Sequence, residues 1–333
     1  MSPSVAIGLS AVVVAVKDGE AVALTVRPED QRTHEASALR GLPSGPFDPV
    51  EHRTFELALR DFVTEQTGFE LGYVEQLYTF GDKGRGSPRA ELGGRVDQAA
   101  RVVSIGYLAL TPRAAEIAMP GAAWVPWPRA FPWEDWRQGR PSVLDAVIGP
   151  QLKAWAAARP EPAAALARAR LLFALDGATW NEERVLDRFE LLYEAGLAAE
   201  AERDQARARG EDAGEPAGYS PALGEPMVSD HRRILATGLA RLRGKIKYRP
   251  VVFELMPSEF TLSELQRTVE AISGLPLHKP NFRRVVERTA LVEGLGRQRV
   301  ETGGRPAELF RFRRELLNAR PVSGLALPAL RDG

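Results

Sequence analysis

The sequence predicts an α+β protein that combines an N-terminal α/β/α sandwich with added helices and a C-terminal helix pair followed by a β wing. Three observations predict this class. Apolar strand patterns surround one amphipathic helix within the first 110 residues. A small, acidic, proline-containing stretch at 210–229 has the composition of a linker. Beyond this stretch, short amphipathic helices precede two strand patterns.

Composition and charge limit the class of protein further. The chain of 333 residues is long enough for two domains, and its lack of cysteine excludes disulfides, thiolate metal sites and cysteine nucleophiles. No stretch approaches the roughly 18 apolar residues of a membrane span, and no signal peptide pattern begins the chain. We therefore expect a soluble, cytoplasmic protein without a membrane partner.

The net charge of zero hides an asymmetry between the two halves. Residues 230–320 contain 19 Lys and Arg against 10 Asp and Glu, whereas the remainder contains 25 against 34. A basic domain joined to an acidic one is typical of a protein of which one half meets a polyanion. A basic surface that serves only solubility would give the same counts.

The N-terminal domain is predicted from strand and helix periodicities. In chain order its elements are strands at 5–16 and 21–26, a loop at 41–49, a helix at 52–66, and strands at 71–80 and 101–110. Asp18-Gly19 is a hairpin turn signal between the first two strands, and Gly68 follows the helix as a stop signal.

The middle of the chain contains all six tryptophans, between Trp124 and Trp180. Four of them fall in a proline-rich stretch at 124–142, which we interpret as a strap that packs aromatic rings onto the domain. Helices are predicted at 141–158 and 181–206. These elements divide the chain into a sandwich domain at 1–160, a helical extension at 161–209, a linker at 210–229 and a C-terminal domain at 230–320.

The C-terminal domain is predicted to begin with a helix at 231–245, capped by Asp230. Thr261 and Glu264 form a capping box that opens the next helix, and Gly274 ends it. A short turn then leads to a further helix.

That further helix begins near Asn281 and has two contrasting faces. The inward positions are Phe282, Val285, Val286 and Ala290, and the outward positions are Arg283, Arg284 and Arg288. Strands at 291–300 and 307–312 follow, joined by a glycine-rich loop that contains Arg305. A helix, a short turn, a second helix with a cationic outer face and a wing together predict a winged helix-turn-helix domain that binds double-stranded DNA. Arginine and asparagine suit guanine and adenine edges, although arginines that only solvate an exposed helix would give the same pattern.

The helix at 52–66 resembles a damaged Nudix motif, G-x5-E-x7-R-E-U-x-E-E-x-G-U, where U is a bulky apolar residue. Arg60-Asp61 stands where Arg-Glu is expected, and Glu65-Gln66 stands where two glutamates are expected. One extra residue separates the halves. Clustered carboxylates suit Mg²⁺, and Asp61 and Glu65 share a helix face. We expect at most weak Mg²⁺ binding, no required cofactor and little or no hydrolysis.

Segments in both halves carry a family resemblance. They are 78–82 with Gly84-Arg85, 101–107, 242–250 running into 260–266, 281–284 and 304–306. With them the chain resembles the Nudix-related transcriptional regulators of NAD metabolism, the NrtR type, and within these the longer branch described in alphaproteobacteria.

The resemblance implies a dimeric repressor of NAD biosynthesis genes, with a Nudix-like domain at 1–160 that senses an NAD-related nucleotide such as ADP-ribose. It implies Asp82, Arg85 and Arg101 as candidates for the nucleotide pocket. It also adds residues to the DNA-binding set, namely Lys245, Lys247, Asn281 and Arg305. Arg85 suits a diphosphate, but a simple loop charge is an equal alternative. Lys245 and Lys247 also suit a helix C-terminus.

Two other functions compete with a ligand-responsive regulator. One is an active Nudix pyrophosphatase that acts on ADP-ribose or a related nucleoside diphosphate derivative. The other is an interaction protein that binds nucleotide without DNA, and the basic C-terminal domain argues against it.

Overall fold

The computed structural model describes residues 5–27, 39–85, 101–209, 219–299, 306–316 and 325. A mixed sheet forms the centre of the N-terminal part. Its strands are β1 (Val5–Lys17), β2 (Glu20–Thr25), β3 (Ser44–Pro46), β4 (Tyr73–Phe80), β5 (Arg101–Leu110) and β6 (Ala123–Pro126). They lie in the order β4-β5-β1-β2-β6, and β3 pairs with β1. β1 runs parallel to β5, and the other pairs are antiparallel.

The turn between β1 and β2 confirms the hairpin signal. Asp18 and Gly19 have φ values of 51° and 78°. Positive φ at both central residues gives a turn whose twist matches the twist of the flanking strands. Asp and Gly at these positions therefore specify the pairing of Lys17 with Glu20.

Helix α1 (Phe55–Thr67) covers one face of the sheet, as predicted from its apolar stripe. The Thr54 hydroxyl accepts from the Leu57 N–H at 3.2 Å, and Gly68 ends the helix at φ 69°. Leu59 and Phe62 are buried here together with the strand residues Leu9, Ala11 and Val13.

The opposite face of the sheet is covered by α6 (His231–Tyr248). We expected this helix to open the C-terminal domain. Instead Leu235 and Leu239 pack in one core with Val12, and a Cβ on Gly238 would lie 2.9 Å from a Val12 methyl. A sheet buried on both faces needs two apolar covers, and α6 provides the second. The α/β/α sandwich is thus confirmed, with its second helix layer drawn from beyond the predicted linker.

The described residues between the strap and α6 form four α-helices, namely α2 (Gly149–Ala157), α3 (Pro162–Phe173), α4 (Val185–Glu194) and α5 (Ala199–Ala208). The prediction of one helix at 181–206 was wrong, because Gly196 adopts φ 70° and breaks it into α4 and α5. Left-handed backbone ends an α-helix. Helix α3 lies in the predicted helical extension at 161–209, although no separate bounds were predicted for it.

The tryptophan-rich strap packs onto this layer. Trp127 and Trp133 are buried, and the Trp133 ring meets those of Phe131 and Phe173 edge-on at 6.1 Å. Edge-to-face contact is a favourable arrangement of aromatic rings.

The predicted linker is folded where the structure describes it. The Glu225 N–H donates to the Arg129 carbonyl at 2.7 Å, and the Val228 N–H donates to the Arg40 carbonyl at 3.1 Å. Residues 210–218 lie outside the described residues. Packing therefore continues across residues 219–229, and the domain bounds drawn from composition stay a prediction.

The C-terminal part contains α7 (Leu262–Ser273), α8 (Lys279–Thr289), β7 (Val292–Arg299) and β8 (Ala307–Phe312). The capping box is confirmed. Thr261 accepts from the Glu264 N–H at 3.2 Å, and the Glu264 carboxylate accepts from the Thr261 N–H at 2.7 Å. Gly274 ends α7 at φ 71°. Ala290, predicted to face inward, is exposed at φ 51° and ends α8.

A buried ion triad joins the strap, α4 and α6. The Glu134 carboxylate accepts from Arg188 at 2.6 Å and from Arg243 at 2.5 Å, and all three side chains are 0% exposed. Arg243 also donates through Nε to the Ile272 carbonyl in α7 at 2.9 Å. Buried charges persist only when they are paired and hydrogen-bonded. The triad therefore fixes how the helix-turn-helix meets the rest of the chain.

Candidate functional site

The exposed face of α8 is the strongest candidate for a nucleic-acid site. Phe282 and Val286 are buried against the domain, which turns Arg283, Arg284 and Arg288 outward. Among the residues that the structure describes, no carboxylate oxygen lies within 4.0 Å of these three guanidinium groups. A helix with exposed arginines that lack carboxylate partners can meet phosphates or base edges without first breaking ion pairs.

Asn281 lies on the same helix but does not cap it. The N-cap is His278, and the Asn281 side-chain oxygen accepts from Arg284 at 3.2 Å. This bond holds the Arg284 guanidinium over the first turn of α8. In helix-turn-helix proteins the N-terminal residues of this second helix are the ones that reach the bases.

The arginines of the wing differ from those of α8. Arg297 pairs with Glu259 at 2.6 Å, and Arg299 pairs with Glu264 at 2.7 Å. Arg311 pairs with Glu293 across the two strands. Arg305, proposed for the wing tip, lies outside the described residues. Among the described residues, the three arginines of α8 therefore leave its exposed face with uncompensated positive charge.

Lys245 and Lys247 are paired with acidic side chains in this structure, and their role in DNA binding stays a prediction. Lys245 bonds to Glu75 and to the Tyr73 hydroxyl, the latter at 2.8 Å. The Lys247 ammonium lies 2.6 Å from the Glu182 carboxylate and also pairs with Glu183. Both lysines lie in the last turn of α6. Because this helix packs on the sandwich, the lysines form ion pairs with acidic side chains there.

The residual carboxylates of the Nudix-like helix lie on its exposed side. Asp61 and Glu65 are both exposed on α1. Within the described part of the chain, no group of three or more His, Asp or Glu side chains is arranged to hold a metal ion. What these two carboxylates bind stays a prediction.

Gln66 has a structural role that the sequence did not reveal. Its amide nitrogen donates to the Ser44 carbonyl at 2.6 Å, and its amide oxygen accepts from the Ser44 N–H at 3.1 Å. A glutamate here would aim a carboxylate oxygen at the Ser44 carbonyl and lose that donation. The amide that replaces the second motif glutamate thus joins α1 to β3.

Arg85, the candidate for a diphosphate, is engaged inside the protein. Its guanidinium donates twice to the Glu190 carboxylate, both bonds at 2.9 Å, and lies 3.7 Å from the centre of the Tyr193 ring. Burial opposes its charge, but the bonded Glu190 carboxylate raises the pKa of Arg85. A bidentate carboxylate takes the positions that a phosphate would use.

Asp82 and Arg101 lie in the same region but make different contacts. Asp82 accepts from Arg233 of α6 at 2.5 Å, and Arg233 also lies 2.5 Å from Glu190. Arg101 donates to the Gly81 carbonyl at 2.7 Å. Glu190 and Arg233 were not predicted from the sequence, because no local pattern indicates that α4 and α6 meet this loop.

Comparison with known proteins agrees with this architecture. Residues 252–312 match the family model described as the NrtR DNA-binding winged helix domain. The match agrees with the winged helix architecture that α7, α8, β7 and β8 form.

A known relative is similar to part of this chain. The ADPR responsive transcriptional repressor NtrR of Acinetobacter baylyi is 40% identical over 91 residues, which are 27% of this chain. The match spans about a third of that relative, 36% of its length.

Solved structures extend the likeness to nearly the whole fold. Shewanella oneidensis NrtR complexed with a 27mer DNA aligns at a TM-score of 0.52 and 19% identity, covering 97% of this chain and 99% of that one. A MutT/nudix family protein from Enterococcus faecalis aligns at a TM-score of 0.51 and 13% identity, covering 94% and 88%. The predicted fold, a Nudix-like sandwich with a C-terminal winged helix, is confirmed, as is the resemblance to the NrtR type. Over the described residues, none of the helices has the length and apolar character needed to cross a membrane.

Proposed function

We propose that this protein is a DNA-binding transcriptional repressor whose operator affinity responds to ADP-ribose. The observation that carries the proposal is the face of α8, where Arg283, Arg284 and Arg288 are exposed and have no carboxylate partner within the described part of the chain. It lies in a domain that matches the NrtR winged helix, and a relative of 40% identity is named as an ADPR responsive repressor. The resemblance implies that the regulated genes are those of NAD biosynthesis and that the repressor acts in the cytoplasm.

Operator DNA is read by two copies of the chain in this proposal. Helix-turn-helix dimers bind half-sites about one helical turn apart, so each recognition helix needs a partner at fixed spacing. Effector binding that alters the relation of the two helices lowers affinity, because both can no longer enter the groove together. A molar mass measurement by light scattering on the full chain tests the dimer.

The pyrophosphatase alternative is the less supported one. Gln66 is bonded to the backbone of Ser44 on both sides of its amide, so the second glutamate position of the motif contributes no carboxylate. Mg²⁺ sites need near-ideal geometry from several oxygen ligands. Phosphate release from ADP-ribose with Mg²⁺ and a coupling phosphatase measures any turnover, and turnover abolished by Glu65→Gln would support the enzyme.

A DNA titration with substitutions in α8 tests the repressor. We expect Arg284→Ala and Arg288→Ala each to weaken binding to the chain's own upstream DNA by about tenfold, since a lost base or phosphate contact costs about 1–3 kcal/mol. Arg168→Ala, an exposed arginine of α3, is the matched control and should bind as the wild type does. Fluorescence anisotropy at fixed salt gives the affinities.

ADP-ribose added to the same complex should change the measured affinity for operator DNA. Unchanged affinity at saturating nucleotide would remove the effector from the proposal, and wild-type affinity in both α8 variants would remove the recognition helix.

A further inference from the structure

Glu287 lies in the third turn of α8, on the exposed face that carries the three arginines. A helix turns about 100° per residue, so the direction of each side chain around its axis follows from sequence position. The most outward direction of α8 is the one opposite to Phe282, Val285 and Val286. Arg284 and Glu287 each lie within about 35° of that direction. These two residues form the central line of the exposed face.

The other two arginines lie on the flanks of the same face. Arg283 and Arg288 point about 70° to either side of the outward direction. A recognition helix in the major groove has its central line against the base edges and its flanks towards the two phosphate backbones. Arg283 and Arg288 are thus placed for phosphates, whereas Arg284 and Glu287 are placed for bases.

The Glu287 carboxylate is exposed among cations but does not pair with them. Within the described part of the chain, no nitrogen of Lys, Arg or His lies within 4.0 Å of its oxygens. Arg284 lies one turn before it and bonds to Asn281 instead, at 3.2 Å. Arg283 precedes it by four residues, which is the weaker order for an ion pair on a helix. The carboxylate therefore faces outward from α8 with its acceptor oxygens available on that helix.

An acidic side chain on a DNA-facing surface has a defined chemistry. It repels phosphates, so it weakens binding to DNA of any sequence. It accepts hydrogen bonds and donates none, so the base edge that suits it presents an amino group in the major groove. Cytosine presents its N4 amino group there, whereas adenine presents an amino group beside the N7 acceptor, which opposes a second acceptor. Cytosine is therefore the better match.

We propose that Glu287 is a specificity-determining residue that accepts a hydrogen bond from the N4 amino group of a cytosine in each operator half-site. This role rests on the proposed function, DNA binding through α8. Arg284, the other residue of the central line, suits the O6 and N7 acceptors of guanine. Three residues of helix rise about 4.5 Å, against about 3.4 Å for one base-pair step. The cytosine is thus one or two base pairs from the guanine that Arg284 reads.

The carboxylate raises specificity through both of its effects. At the cytosine it gains a charge-assisted hydrogen bond, and at other sequences it meets acceptors or phosphates that repel it. Specificity is a difference between two affinities, so a side chain that weakens binding to the wrong sequence increases it. This accounts for a single glutamate on the central line of a cationic face.

Base preferences of the full chain test this role. Footprinting on the chain's own upstream DNA first locates the operator, and a panel of duplexes then carries each single base-pair change. We expect one cytosine per half-site whose replacement weakens wild-type binding about tenfold, as measured by fluorescence anisotropy at fixed salt. Glu287→Gln should prefer adenine at that position, because an amide bonds to adenine N6 and N7. Glu287→Ala should show no preference there and should bind shuffled DNA more tightly than the wild type does.

A remote glutamate provides the matched control. Glu116 is exposed in the sandwich domain, and Glu116→Gln removes one negative charge without changing α8. This variant should keep the wild-type preference at every position of the operator. Melting curves by circular dichroism verify that all three variants are folded.

The outcomes separate this role from the repressor itself. Wild-type preferences in both Glu287 variants, or an equal loss of affinity at every position, overturn the role. A preference lost at an adenine overturns the cytosine but supports the carboxylate as acceptor for an amino group. The repressor stands in each of these cases if Arg284→Ala weakens operator binding. No binding of the wild type to its upstream DNA overturns the repressor and the role of Glu287 together.

Discussion

His231 is the most strongly perturbed histidine in the described structure. It is buried in the first turn of α6, and its Nδ1 accepts from the Leu42 N–H at 2.9 Å. That bond places the ring proton on Nε2, which has no acceptor among the described residues. Burial, and next the charge of Arg203, lower the pKa of His231 to about 3. The fold thus needs a neutral ring.

We predict that His231 makes the stability of the folded chain sensitive to acid. Between its ordinary pKa of 6.5 and about 3, the unfolded chain binds a proton that the folded chain does not. The contribution of His231 is complete above pH 6.5 and is lost as the pH falls, by up to about 1.4 kcal/mol per pH unit. His231→Asn keeps an acceptor for Leu42 and should flatten the fall in melting temperature between pH 6.5 and pH 4.5.

An exposed histidine provides the control for this experiment. His278→Asn should follow the wild-type profile. Parallel profiles for His231→Asn and the wild type would mean that another group carries the acid sensitivity.

At the level of residues, the sequence predicts the cationic face of α8 but not the partners of single side chains. The helical period places Arg283, Arg284 and Arg288 on one outward face, and the structure agrees. By contrast, Arg85 and Lys245 looked available for ligands. Glu190 and Glu75, which are remote in sequence, engage them. Charge content is a local property, whereas ion pairing depends on which elements pack together.

At the scale of elements, the capping box of α7 has a measurable effect. Thr261→Ala removes the acceptor for the Glu264 N–H, a buried cap at the start of the first helix of the pair. We expect a loss of about 1 kcal/mol in the free energy of unfolding. Thr261→Ser keeps the hydroxyl and should lose much less. Denaturant titration of both variants measures the difference, and equal losses would show that the methyl group and not the cap matters.

Helix α6 shows how the sequence can predict an element correctly without determining what the element packs against. Its apolar stripe and its length follow from the sequence, and the structure contains the helix at His231–Tyr248. Its amphipathic pattern says only that one face is buried, not against what. The uncovered sheet face, with Val12 and Val14, decided its place.

At the scale of the whole molecule, α6 makes the sandwich depend on residues beyond the predicted linker. A fragment of residues 1–229 lacks α6 and exposes the sheet face that Leu235 and Leu239 cover. Each such side chain contributes about 1.5–3 kcal/mol on burial. We expect residues 1–250 to unfold cooperatively on heating and residues 1–229 not to do so, as followed by circular dichroism. Equal melting temperatures would show that the composition-based boundary is a true domain boundary.

The buried ion triad also connects distant parts of the molecule. Glu134 of the strap holds Arg188 and Arg243 at once, and Arg243 continues to α7. Removing one member of such a set leaves an uncompensated buried charge, which is a large penalty. The position of the DNA-binding helices relative to the sandwich is thereby linked to a single carboxylate.

By itself the sequence determined the α+β class, the hairpin turn at Asp18-Gly19, the capping box, the cationic face of α8 and the likeness to NrtR-type regulators. These follow from local periodicity, turn chemistry and short motifs, which need only neighbours in the chain. Only the tertiary structure decided that α6 covers the sheet, that Gln66 joins α1 to β3, and that Glu190 bonds to Arg85. Those facts depend on contacts between residues far apart in sequence, and burial and charge pairing choose among such contacts only once the elements have packed.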